Sequence, residues 1–110
     1  MFKISSKNEF WWPVQIKIPR GDGTKRMDTH QIKMLFKLVS RSELAKITEK
    51  EEEDIQIAEY ILDWDGVKDE EGNDVPFSRE MLDQLLDNLY VMRSVSDAFQ
   101  ECQFGALEKN

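Results

Sequence analysis

Two stretches of this chain alternate apolar and polar residues with a period of two, and that pattern narrows the fold before anything else does. In the first, Trp12, Val14, Ile16 and Ile18 alternate with Gln15 and Lys17. In the second, Ile32, Met34, Phe36 and Leu38 oppose Gln31, Lys33 and Lys37. Side chains along a strand point alternately to the two faces of a sheet, so each stretch reads as a strand with one face buried and one wet. Between them, Pro19-Arg20-Gly21-Asp22-Gly23-Thr24 is a turn with two glycines, and the simplest product is an antiparallel hairpin. Pro13 has no N–H to give to a ladder, so the first strand lies at an edge or begins just after the proline. The residues before it, 1–10, are polar and aperiodic, as a frayed or loosely paired end would be.

A hairpin cannot bury its own apolar face, and the rest of the chain must supply a cover. Ser40-Arg41-Ser42-Glu43 has the spacing of a capping box, with Leu44 and Ile47 opening a short helix. Thr48-Glu49-Lys50-Glu51 repeats the signal ahead of Ile55, Ala58, Ile61 and Leu62, an amphipathic spacing. Met81, Leu82, Leu85, Leu86 and Leu89 mark a third helix, which Asp87-Asn88 can break or restart. Met92, Val95, Phe99 and Cys102 continue at helical spacing to Gly105, a C-cap candidate. The expected architecture is therefore α+β: an N-terminal hairpin packed against about four helices, with a mostly helical C-terminal half.

The acidic stretch Asp63 to Ser78 joins the two parts, with Trp64 near one end and Phe77 near the other. Asp65-Gly66 and Gly72-Asn73 are turn-forming pairs. Val75-Pro76-Phe77-Ser78 is a helix-start signal, with Ser78 placed to cap and Phe77 to staple onto Leu82. Trp64, Gly66, Val67, Pro76, Phe77 and Ser78 thus read as fold-makers: ring anchors, a turn glycine and a helix start.

With 110 residues the chain is sized for a single domain, 1–110. No apolar run approaches the roughly 18–20 residues that would span a bilayer, and no secretory h-region opens the sequence, so a cytoplasmic protein without membrane contact is expected. One cysteine excludes an internal disulfide, and one His with one Cys leaves no zinc site of the usual type. The net charge of −7 divides unevenly, with +6 on residues 1–46 and −13 on residues 47–110. An acidic half of that size argues against nucleic-acid binding, which depends on neutralising phosphates.

Chemistry-bearing residues are sparse. The acidic stretch fails as an EF-hand loop, because setting Gly66 or Gly72 at the glycine position puts Ile61 or Val67 first. His30 has no nucleophile near it in sequence, and Cys102 lies on an apolar stripe with Val95 and Phe99. Arg20-Gly21-Asp22 is a tripeptide common enough to arise by chance. There is no phosphate-cradling glycine loop, so no enzyme activity, cofactor or metal is expected. What remains is apolar helix surface. Met92, Phe99, Phe104 and Leu107, with Met81 and Leu89, offer more of it than a small hairpin obviously covers. These residues fill the core or form a patch for a partner helix, to which flexible methionine is suited.

The ordered motifs resemble those of the tail assembly chaperones of long-tailed bacteriophages and related prophages. They are Pro13-Val14, Gly21-Asp22-Gly23, Phe36-Lys37 and Ser42-Glu43-Leu44, then Trp64-Asp65-Gly66-Val67, the acidic turn from Asp69 to Gly72, Pro76-Phe77-Ser78, Leu85-Leu86-Asp87 and Tyr90-Val91-Met92-Arg93. The series covers about residues 12 to 103, and Leu89 departs from it where a proline is expected. The resemblance implies a non-enzymatic protein that keeps the long, helical tape measure protein soluble while the tail tube polymerises. It also implies a place in the host cytoplasm and absence from the finished virion. The tape measure protein is the implied partner, and other tail assembly proteins are further candidates. Placing the client on the last two helices, at Met92, Phe99, Phe104 and Leu107, comes from the residues and not from the resemblance. The alternative is an acidic mimic of DNA that blocks a nucleic-acid enzyme, or another inhibitor of one. It draws on the −13 half, although capping and solubility already account for those acids.

Overall fold

The computed structural model describes residues 8–43 and 57–104. Strand β1 (Glu9–Pro19) and strand β2 (Met27–Lys37) pair antiparallel along their whole length. Trp12 stands opposite Met34 and Val14 opposite Ile32. Val14, Ile16, Ile32, Met34 and Phe36 are all buried, so the period-two pattern is met on one face of the sheet. The pattern fails at Leu38, which is exposed, while Val39 is buried. The chain has left the sheet there, and the Val39 N–H bonds the side-chain oxygen of Gln103 at 3.0 Å.

A third strand, β3 (Ile61–Asp65), pairs antiparallel with β2, giving the order β1-β2-β3. This corrects the expectation of helix through Ile61 and Leu62. Met34 pairs with Trp64 and Phe36 with Ile61, and the register shifts between Leu35 and Phe36. One residue is thereby inserted, so Ile61 and Trp64, three apart in sequence, both reach the core face. An i, i+3 apolar spacing that imitates a helix is satisfied here by a bulged strand.

The expected number of helices is corrected too. Among the described residues there are two α-helices, α1 (Arg79–Leu86) and α2 (Leu89–Phe104), and one 3-10 turn at Ile57–Tyr60. Residues 41–43 are also helical and open on a formed capping box: the Ser40 N–H donates to Glu43 and the Glu43 N–H to Ser40 Oγ, each at 3.2 Å. The class remains α+β with an N-terminal hairpin. The helix starts read at Leu44 and Thr48, and the C-cap at Gly105, lie outside the described residues.

Helix α1 buries Leu82 and Leu86, and α2 buries Val91, Val95, Ala98 and Phe99. Between them Asn88 restarts the helix, its side-chain oxygen accepting the N–H groups of Tyr90 at 2.9 Å and Val91 at 3.3 Å. A capping asparagine does here what a proline would do one residue later. Helix α2 packs along β1 and is fastened to the sheet at two points. Ser94 Oγ accepts the Lys17 N–H at 3.1 Å, and the Gln103 amide donates to the Lys37 carbonyl at 3.2 Å.

Candidate functional site

The stretch from Asp63 to Ser78 folds as an arm tied to the sheet. Gly66 turns the chain out of β3 with φ +93°, and a Cβ there would lie 3.6 Å from the Ile32 Cα. The positive φ favours glycine, while 3.6 Å is an ordinary contact distance for a side chain. The Val75 N–H then donates to the Val67 carbonyl at 2.9 Å, and Lys68 bridges antiparallel to Asp74, with which it also forms an exposed ion pair. At the tip, one carboxylate oxygen of Asp69 accepts the N–H groups of Glu71 and Asn73, both at 2.9 Å. The carboxylate thus closes the turn.

Trp64 holds the arm down. Its indole N–H donates to the Val75 carbonyl at 2.7 Å, and its ring meets Phe77 edge-on with centroids 5.1 Å apart. The Arg79 guanidinium lies over the Phe77 ring, 5.5 Å from its centre, and donates to the Ala58 carbonyl. Ser78 is the N-cap of α1, its Oγ accepting the Met81 N–H at 3.1 Å. Trp64, Gly66, Val67, Phe77 and Ser78 are therefore gathered in one place, with the exposed Pro76 between the arm and the cap. The ring contact found for Phe77 is with Trp64.

The residues nominated for a partner are not gathered in this way. Phe99 is 2% exposed and belongs to the core, edge-on to Phe36. It cannot present its ring to a client in this fold, which corrects its nomination. Met92 is half-buried against the same core. The side chain of Phe104, whose backbone ends α2, and the whole of Leu107 lie outside the described residues. The apolar side chains that do face solvent on the helices are Met81 on α1 and Leu89 and Tyr90 in the first turn of α2, at 36%, 61% and 43% exposure. Tyr90 was not legible as a surface residue, because the start of α2 falls at a cap that helical periodicity does not register.

Little in this surface can do bond chemistry. His30 is an exposed strand residue opposite Ile16. Cys102 is half-buried, and burial, followed by the nearby Glu101 charge, raises its thiol pKa and holds it in the unreactive form. Glu43 titrates below the usual carboxylate range because the Ser40 backbone and side chain donate to it. Tyr60 titrates above its ordinary value through burial and the charge of Glu43. Among the described residues, no three His, Cys, Asp or Glu side chains are grouped to hold a metal, and no helix is long and apolar enough to cross a membrane.

A profile of the YdaY prophage protein family matches residues 22–108, most of the chain, and the chain belongs to that family. Searches of curated proteins and of solved structures returned no match.

Proposed function

We propose that this prophage protein is a non-enzymatic tail assembly chaperone that binds the tape measure protein and keeps it soluble in the host cytoplasm while the tail tube assembles. The observation that carries the reading is the solvent-facing apolar set Met81, Leu89 and Tyr90 on α1 and α2. A folded core already satisfies Leu82, Leu86, Val91 and Val95 on the same two helices, so these exposed side chains are not needed to close it. Side chains of this kind suit the apolar stripe of a long client helix. A net charge of −7 keeps a protein with such a surface dispersed. Membership of a prophage family and the ordered motifs from Pro13-Val14 to Tyr90-Val91 favour the same reading.

The test is co-expression with the tape measure protein of the same prophage, followed by affinity capture at low and high salt. The reading expects a soluble tape measure protein that co-purifies through high salt, and loss of both properties with Leu89→Asp and Tyr90→Asp together. An insoluble, uncaptured tape measure protein would end the proposal. Capture of a nucleic-acid enzyme that releases as salt rises would favour the acidic mimic instead.

A further inference from the structure

Strand β1 has one edge against β2 and one open edge, and α2 guards only part of the open one. At Ser94 the helix meets that edge, accepting the Lys17 N–H at 3.1 Å. By Gln103 it has crossed beneath the sheet to β2, where the Gln103 side chain bonds the Lys37 carbonyl and the Val39 N–H. The Glu9 end of β1 is left uncovered. We propose that it pairs with the same strand of a second copy of this chain, antiparallel about a two-fold axis at Phe10. This surface is separate from the client face on α1 and α2.

The backbone sets the register. The Leu38 N–H donates to the Asn8 carbonyl at 2.7 Å and the Arg20 N–H to the Arg26 carbonyl at 3.0 Å, so even-numbered residues of β1 bond β2. Odd-numbered residues turn their N–H and C=O groups to the open edge, where Glu9 and Trp11 make no bond among the described residues. Pro13, next along, has no N–H. With the axis at Phe10, Glu9 of each copy faces Trp11 of the other, and every N–H of those pairs meets a carbonyl. With the axis at Trp11, Glu9 would face Pro13 and a bond would be lost on either side.

The side chains favour the same partner. Phe10 and Trp11 stand on opposite faces of the strand and are 45% and 48% exposed, an apolar edge of the kind that proteins normally cover. In the proposed register the two Phe10 rings meet across the axis, at a position without ladder bonds where side chains lie closest. Glu9 is the one charged residue from Asn8 to Pro13, and it stands opposite Lys37 of its own chain, so the edges meet with little charge between them. A buried aromatic side chain covers about 150–250 Å², so the exposed parts of four such rings supply about 300–500 Å². With the paired backbones the contact reaches at most about 1,000 Å², the floor for a specific interface, and the dimer is accordingly weak and concentration-dependent.

Analytical ultracentrifugation of the full chain from about 10 µM to about 1 mM should show monomer giving way to dimer, and Trp11→Lys should abolish the dimer without lowering Tm. The register is read by cross-linking in a Cys102→Ala background. Phe10→Cys should form a disulfide-linked dimer under mild oxidation, because facing Cα atoms at such a position lie about 4.5 Å apart. Trp11→Cys, whose counterpart is offset by two residues and so lies beyond about 7 Å, should cross-link at least about tenfold more slowly. If Phe10→Cys proves unstable, the sedimentation of Trp11→Lys decides the matter. A chain that stays monomeric at the highest concentration, or a Trp11→Cys that cross-links as fast as Phe10→Cys, would overturn the proposal. So would a monomer that loses capture of the tape measure protein on Trp11→Lys, which would give this edge to the client.

Discussion

Replacing Phe99 by leucine separates the core of this protein from its client-facing surface. Phe99 is 2% exposed, and its ring lies 5.6 Å from Phe36 at 77° and 5.6 Å from Tyr60 at 37°. Leucine keeps an apolar side chain at the site but removes both ring contacts. At about 0.5–1.5 kcal/mol for each aromatic pair, the loss is about 1–3 kcal/mol, before any cost of the smaller volume. For a domain near this size, that corresponds to a fall in Tm of about 5–20 °C. Leu89, at 61% exposure, should tolerate alanine within about 0.5 kcal/mol. Thermal unfolding followed by far-UV circular dichroism reads both variants at one protein concentration. Capture of the tape measure protein is then compared well below either transition. The expected pattern is a destabilised Phe99→Leu that still binds and a stable Leu89→Ala that binds more weakly. A Phe99→Leu variant that kept its Tm within about 1 °C yet lost the client would refute the core placement.

Two further outcomes follow from the arm and from Cys102. Trp64→Phe removes the indole donor and strands the Val75 carbonyl, at a cost of about 1–3 kcal/mol. Hydrogen exchange should accelerate at the Val75 amide while the β1–β2 ladder stays protected, and unchanged exchange in the arm would contradict the anchoring role of Trp64. At pH 8, the thiol of Cys102 should react with iodoacetamide more slowly than free cysteine, and urea should abolish the difference. Because its folded pKa is raised, the folded thiol favours its proton and the unfolded chain ionises first. The stability tied to it is therefore present below the unfolded value of about 8.5 and is lost as pH climbs above it. Cys102→Ala should lack that extra alkaline slope in Tm, and an identical slope in the two proteins would show that burial of the thiol is not its source.

The hairpin was legible because each of its buried positions obeys a rule with one period, from Val14 to Phe36. Pro13 disclosed the edge, Ser78 the start of α1, and the Ser40–Glu43 pair a capping box, since each of those signals is local chemistry with one structural use. The third strand was not legible. Its bulge places Ile61 and Trp64 on one face at the spacing of a helix, and only pairing with β2 reveals the extra residue. Phe99 could not be assigned to core or surface from its stripe on α2, because periodicity identifies an apolar face without identifying what covers it.

The bond from the Lys17 N–H to Ser94 joins residues 77 positions apart. Chains are made at about 5–20 residues per second, so roughly 4–15 s separate the synthesis of β1 from that of the helix that covers its edge. Throughout that interval a nascent hairpin, complete in its own local pairing, has an open side. Pro13 stands on that side, where a missing N–H gives a neighbouring nascent chain one fewer bond to form. A residue that marks a strand's position thus also serves during translation, as a guard on the polysome: Pro13→Val should increase co-translational aggregation at high expression while leaving the finished fold intact.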